Sequence, residues 1–152
     1  MTEIERARPA DRSAIEGLLE ANGLPVAGLE FAIDAAIVAR SAGRGVGCAA
    51  VETYGSAGLL RSVCVETTLR GTGLGRRLVE RAEDLARDGG VDEMFLLTET
   101  AAAWFPRLGY QPDVRESAPA ALRASPEFTG ACPVSAALFR KRLDRAAAAT
   151  VD

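Results

Sequence analysis

Val63-Cys64-Val65-Glu66-Thr67-Thr68-Leu69-Arg70-Gly71-Thr72-Gly73-Leu74-Gly75-Arg76-Arg77-Leu78 is the stretch around which the rest of the chain can be read. It begins as an apolar, β-branched run with strand character, passes through three alternating glycines and continues as a helix. Leu74, Leu78, Ala82 and Leu85 are spaced to share one face of that helix. A strand, a glycine loop and a helix N-terminus in succession make an anion-binding device. The glycines leave backbone N–H groups bare, and the helix dipole adds roughly half a positive charge. Arg70, Arg76 and Arg77 bring full cations to the turn. The predicted ligand carries phosphate, and the rest of the chain has to say which one.

At 152 residues the chain fits one domain with a proper core, and 48% hydrophobic with 26% charged residues is ordinary globular composition. A net charge of -3 gives no reason to expect nucleic acid as a partner. No apolar run approaches the ~20 residues that span a membrane, and the charged residues 3–8 leave no secretory segment. Cys48, Cys64 and Cys132 lack CxxC spacing. They read as reduced thiols of a cytoplasmic protein, without a disulfide framework or a metal site. The chain has no histidine. That removes Ser-His-Asp and Cys-His catalysis and most transition-metal sites. Acid–base work falls to carboxylates, tyrosine, cysteine, water or the substrate.

In chain order, residues 3–7 predict a strand, and a helix follows from Asp11 or Ser13 to the Asn22-Gly23 stop. Residues 31–40 are ambiguous, with strand favoured from Ala35. Residues 46–53 and 59–65 complete an antiparallel meander through the glycine turns at 41–45 and 55–58. The long helix stops at Gly89-Gly90, with Glu83 and Arg87 as an i,i+4 pair on its outer face. Residues 94–97 read as a central, doubly buried parallel strand. A short helix at 101–108, a strand from Tyr110, a proline-interrupted insertion at 118–128 and a last strand at 135–143 follow. The expectation is one α/β (α+β) domain over residues 1–143, with a mixed sheet flanked by helices and a loose tail at 144–152.

A P-loop is excluded because no Gly-Lys-Ser/Thr follows, and Gly71-x-Gly73-x-Gly75 lacks dinucleotide GxGxxG spacing. A glycine turn that only packs strand on helix is the plain alternative. Arg70-x-x-Gly73-x-Gly75 resembles the R/Q-x-x-G-x-G/A motif of the GNAT acyltransferases, and the order of elements resembles that fold over nearly the whole chain. Ala101-Ala102-Ala103-Trp104-Phe105-Pro106-Arg107-Leu108-Gly109-Tyr110 resembles the family's second signature. The resemblance implies a centrally splayed sheet and acetyl-CoA as acetyl donor. Arg70, Gly71, Thr72, Gly73, Leu74, Gly75 and Arg76 would then hold the pyrophosphate, while Val63, Cys64 and Val65 pair with the pantetheine arm. It also implies direct attack by an amine on a thioester lying between the strands at 63–65 and 94–98. Phe105 departs from the tyrosine acid of many members, so Thr98, Thr100 or water is left to assist.

Within the family the chain is similar to the N-acetylglutamate synthase branch and most resembles the arsenic-resistance N-acetyltransferases. That likeness rests on Leu24-Pro25, Gly28-Leu29, Glu52-x-Tyr54-Gly55, residues 59–63 and residues 125–133. It implies a small-molecule amine or amino-acid acceptor, with a homodimer left open. Glu52 is a base or amine anchor and Arg61 a carboxylate clamp, or the two are a cross-strand ion pair on a solvated face. Tyr54 and Thr100 join Arg61 as acceptor-side residues. Glu99 is a second base candidate or a helix-start carboxylate. Arg115 and Arg123 read as surface arginines, and Cys132 as a small buried hydrophobe. Biosynthetic acetylation of glutamate and a non-catalytic acyl-CoA-binding regulatory module are the competing functions.

Overall fold

Short, glycine-bearing turns pair consecutive strands, and the computed structural model follows them closely. It describes residues 2–27, 29, 35–131 and 135–143. Strands β1 (Thr2–Arg6), β2 (Ala36–Ser41), β3 (Arg44–Tyr54) and β4 (Ala57–Val65) run antiparallel in sequence order. The β2–β3 turn has positive φ at both central residues, Ala42 (54°) and Gly43 (79°), the conformation whose twist suits a hairpin. Strand β5 (Glu93–Thr98) lies parallel to β4 and antiparallel to β7 (Ala137–Arg142), with the short β6 (Gln111–Asp113) outside. The sheet order is β1-β2-β3-β4-β5-β7-β6. The expected tail and residues 30–34 and 132–134 lie outside the described residues.

Helices cover the two faces. Ile15 and Leu19 of α1 (Arg12–Ala21) pack on Cys48 and Cys64. On the other face α2 (Leu74–Asp88) buries Leu74, Leu78, Val79, Ala82 and Ala86 against Ala49, Val51 and Leu60. Each such side chain contributes about 1.5–3 kcal/mol by leaving water. The helix sits very close to β3. A Cβ at Gly47 would come within 2.9 Å of Leu78 Cδ1 and 3.2 Å of the Cys64 carbonyl oxygen.

Two expectations need correcting. Glu83 is not on the outer face of α2. It is buried at the seam with β7, where it accepts from Tyr110 Oη (2.8 Å) and Lys141 Nζ (3.0 Å), while Arg87 bonds Asp84 at 2.7 Å. A buried carboxylate needs partners of its own, and Arg87, half-buried one turn on, is turned to Asp84 instead. The short helix at 101–108 is reduced to a 3-10 turn, Phe105–Leu108. Pro106 lacks an N–H, and the Thr98 hydroxyl oxygen takes the Ala101 N–H at 3.0 Å instead.

Leu78 is fully buried beneath the sheet. Leu78→Ala should therefore destabilise the protein by about 2–5 kcal/mol, read as a lower urea midpoint with an unchanged m-value. A loss below about 1 kcal/mol would contradict this packing.

Candidate functional site

The site begins with an irregularity in β4. Cys48 pairs with Cys64, but Ala50 pairs with Arg61, so β4 holds one extra residue. Ser62 occupies that bulge with φ of 60°, a strained setting for a residue with a side chain. It is held from two sides: Cys48 Sγ donates to its carbonyl oxygen (3.2 Å) and Arg61 Nε donates to its hydroxyl (3.1 Å). By this point β4 has already parted from β5. Their pairing ends at Leu59 opposite Phe95, although β4 runs on to Val65 and β5 to Thr98. The sheet is splayed there.

The inner edge of β4 is therefore bare. Glu66 N–H donates to the Val46 carbonyl at 2.8 Å on the β3 side. The alternation of an antiparallel ladder then turns the backbone groups of Val63 and Val65 toward the opening. Arg70 Nε reaches the outward Val65 carbonyl at 3.4 Å. Cys64 points its side chain the other way, donating to the Leu18 carbonyl at 3.6 Å. Burial raises the thiol pKa of both Cys48 and Cys64, so neither is a ready nucleophile.

The glycine loop continues from this edge. Gly71 (φ 82°) and Gly73 (φ 87°) are left-handed, and a Cβ on either would meet nothing within 4 Å. Among the described residues, Arg70 N–H bonds Thr67 and Arg77 N–H bonds Gly73, while no amide of residues 71–76 donates to a backbone carbonyl. That run of free N–H groups opens α2, whose dipole adds to them. Gly75 serves a different purpose: a Cβ there would press to 3.1 Å from Trp104, which is half-buried over the loop. The arginines are exposed. Arg70 is bonded to Asn22, Arg76 reaches the Arg107 carbonyl (3.3 Å) and Arg77 that of Thr2 (3.4 Å). An open hollow of about 440 Å³ beside the loop is lined by Leu69, Thr72, Leu74 and Arg77.

At the closed end of the splay lies a buried polar cluster. Glu52 and Arg61 do come together, diagonally across the hairpin, with Nη1 donating to Oε2 at 2.8 Å. They are not on a solvated face, since both are almost wholly buried. The insertion supplies the cover. Tyr54 Oη (2.5 Å) and Ser125 Oγ (2.6 Å) both donate to Glu52 Oε1. Glu127 Oε2 lies 3.6 Å from Arg61 Nη2, an atom with no hydrogen-bond partner. Burial, with the Glu52 hydrogen bond next, raises the Tyr54 pKa. Ser125 and Glu127 escaped the sequence-based site assignment. They stand 73 residues or more from Glu52, in a stretch whose composition and spacing carry no chemical signature.

The remaining candidates sit on the β5 arm. Thr98 is half-buried at the strand end, and Thr100 is exposed. Glu99 is exposed and starts no helix; Ser135 Oγ donates to it at 2.6 Å. Phe105 is packed edge-on between Trp104 and Tyr110, and Tyr110 spends its hydroxyl on Glu83. Arg115 donates to the Ala136 carbonyl (2.9 Å) and Arg123 to that of Ala118 (3.1 Å). Cys132 lies outside the described residues. Among the described residues no cluster of three or more metal-ligating side chains occurs, and no helix is long and apolar enough to cross a membrane.

Residues 33–112 match the acetyltransferase (GNAT) domain family. An uncharacterized N-acetyltransferase of Chlorobaculum tepidum is 33% identical over 124 residues, covering 76% of this chain and 79% of that one. The amino-acid acetyltransferase of Pseudomonas paraeruginosa is 36% identical over 124 residues, covering 80% of this chain. This chain spans only 27% of that enzyme's length. In structure it is similar to the N-acetylglutamate synthase of Neisseria gonorrhoeae, solved with coenzyme A and N-acetyl-glutamate. That match has a TM-score of 0.82 at 25% identity and covers 95% of this chain and 36% of the synthase. The splayed sheet, the free amide loop and these matches lead to one assignment: the chain belongs to the GNAT acetyltransferase family.

Proposed function

We propose that the chain is an acetyl-CoA-dependent N-acetyltransferase acting in the cytoplasm on the amine of a small amino acid or a toxic amino-acid analogue. The observation that carries this reading is the bare edge of β4 leading straight into a loop of free amides. An extended pantetheine arm can bond that edge as a further strand would, through Val63 and Val65 with Cys64 between them. The pyrophosphate then falls on the N–H groups of residues 71–76, with Arg70 and Arg76 supplying charge. Such a cradle holds the thioester in the opening for direct attack by a bound amine, in a ternary complex. Most of the rate then comes from proximity and from an N–H aimed at the carbonyl oxygen.

On the acceptor side, Glu52 serves as the final proton acceptor and Arg61, fully buried beside it, acts on the acceptor's carboxylate only through the positive charge it brings beneath the site. Tyr54 completes that side. Thr98, at the end of β5, supplies a hydroxyl to assist the departing sulfur, and Glu99 and Thr100 rim the far arm. The amino-acid acceptor is supported by the relatives' names and by resemblance to the arsenic-resistance branch. Acetylation removes an ammonium charge, which would disarm an amino-acid mimic. Glutamate acetylation is the second reading, favoured by the synthase likeness. Phe105, at the usual acid's position, keeps a non-catalytic acyl-CoA-binding module in view.

Free-thiol release from acetyl-CoA across a panel of amino acids and arsinic or phosphinic analogues separates these readings. Turnover with an analogue supports the resistance role, and turnover with glutamate alone sinks it. Binding without thiol release with any acceptor would leave the module.

Gly73→Glu places a carboxylate in the open space over the loop at a strain cost of about 1–3 kcal/mol. It should fold, yet lose at least a hundredfold in acetyl-CoA affinity. Trp104, the sole tryptophan, reports binding by fluorescence from its place against Gly75. Unchanged affinity would rule the loop out.

A further inference from the structure

Glu52 cannot meet an acceptor directly. Oε1 already accepts from Tyr54 and Ser125, Oε2 accepts from Arg61, and the side chain is almost wholly buried. Ser125, Arg61 and Glu127 are buried as well; Tyr54 is the member of the cluster that is only half-buried. The cluster also has a definite position in the sheet. Glu52 pairs with Leu59, and Leu59 is the last β4 residue joined to β5. The Tyr54 hydroxyl therefore lies at the apex of the splay, where a thioester laid along β4 ends.

We propose that Tyr54 is the catalytic residue that carries the proton between the acceptor amine and the buried Glu52, an inference that rests on the acetyltransferase reading above. As the neutral amine bonds to the acetyl carbon and the carbon–sulfur bond breaks, the nitrogen's proton passes to Tyr54 Oη. The phenol's own proton passes to Glu52 Oε1. Coenzyme A leaves as a thiolate that takes a proton from water, Glu52 ends as a neutral acid, and Tyr54 is restored. Arg61 on β4 keeps Glu52 aimed at the phenol. Arg61 faces Glu127, which follows Ser125 in the insertion, and Arg115 lies over Phe128 nearby. Among the described residues, Arg61 and Glu127 are the charged groups in contact with the pair, with Arg115 beyond Phe128. A phenol whose pKa is raised by burial and by Glu52 stays protonated at neutral pH, as a relay requires.

The test compares kcat against pH for the wild type, Tyr54→Phe, Glu52→Gln and the double variant, with acetyl-CoA affinity followed by Trp104 fluorescence. Tyr54→Phe should lower kcat about a hundredfold and flatten the acid limb of the profile, with acetyl-CoA affinity unchanged. Glu52→Gln should match it, and the double variant should be no worse than either. If Tyr54→Phe does not fold, wild-type chain grown with fluorinated tyrosine, labelled only at Tyr54 and Tyr110, should shift the profile instead. Wild-type kcat and profile in Tyr54→Phe, or additive losses in the double variant, would overturn the relay alone. A wild type that binds acetyl-CoA and releases no thiol would overturn the acetyltransferase reading, and the relay with it.

Discussion

Strand β4 cannot keep two partners along its whole length, and the site follows from that constraint. One extra residue at Ser62 is absorbed by a bulge against β3, within the stretch after Leu59 where the strand no longer pairs with β5. The cost of a left-handed serine is offset by the hydrogen bonds from Cys48 and Arg61 and by the packing of both strands. In return, a sheet that would otherwise be closed exposes backbone donors and acceptors in its middle. An unpaired edge inside a core is unfavourable unless something bonds to it. A ligand arm of strand-like length satisfies that need.

Two buried carboxylate clusters among the described residues differ in a way that bears on the proposed function. Glu83, Tyr110 and Lys141 form a fully bonded set, with Lys141 half-buried and also bonded to the Leu108 carbonyl, and it locks α2 to β7. Glu52, Arg61, Tyr54, Ser125 and Glu127 bring together β3, β4 and the late insertion at the apex of the opening. One of its arginine nitrogens lacks a hydrogen-bond partner and its tyrosine is half-exposed. A cluster serving stability alone gains nothing from an arginine nitrogen of its own left without a partner. The first cluster fastens α2 to the sheet, and the second is the one we propose as a working part.

The meander, the glycine loop and α2 were legible because each is a local event. Alternation, turn glycines and a 3.6-residue apolar stripe need no distant partner. The family resemblance followed from the spacing of Arg70, Gly73 and Gly75 together with the Ala101–Tyr110 signature. What the sequence hid was set by contacts across long separations. Glu83 looked like a surface partner of Arg87 because Lys141 is 58 residues away. Glu52 with Arg61 looked equally suited to a solvated face because the covering Ser125 comes from the far end of the chain. The bulge at Ser62 left no trace either, since Arg61-Ser62-Val63 reads as uninterrupted strand.

The central claim is that the bare edge of β4 and the loop at the head of α2 together bind one ligand. Amide hydrogen exchange with and without coenzyme A examines both at single-residue resolution. The account predicts that the amides of Val63 and Val65 and those of residues 71–76 slow together by at least tenfold on adding coenzyme A, with α1 and β1 unaffected. Unchanged exchange at Val63 and Val65, or protection confined to another part of the sheet, would contradict it.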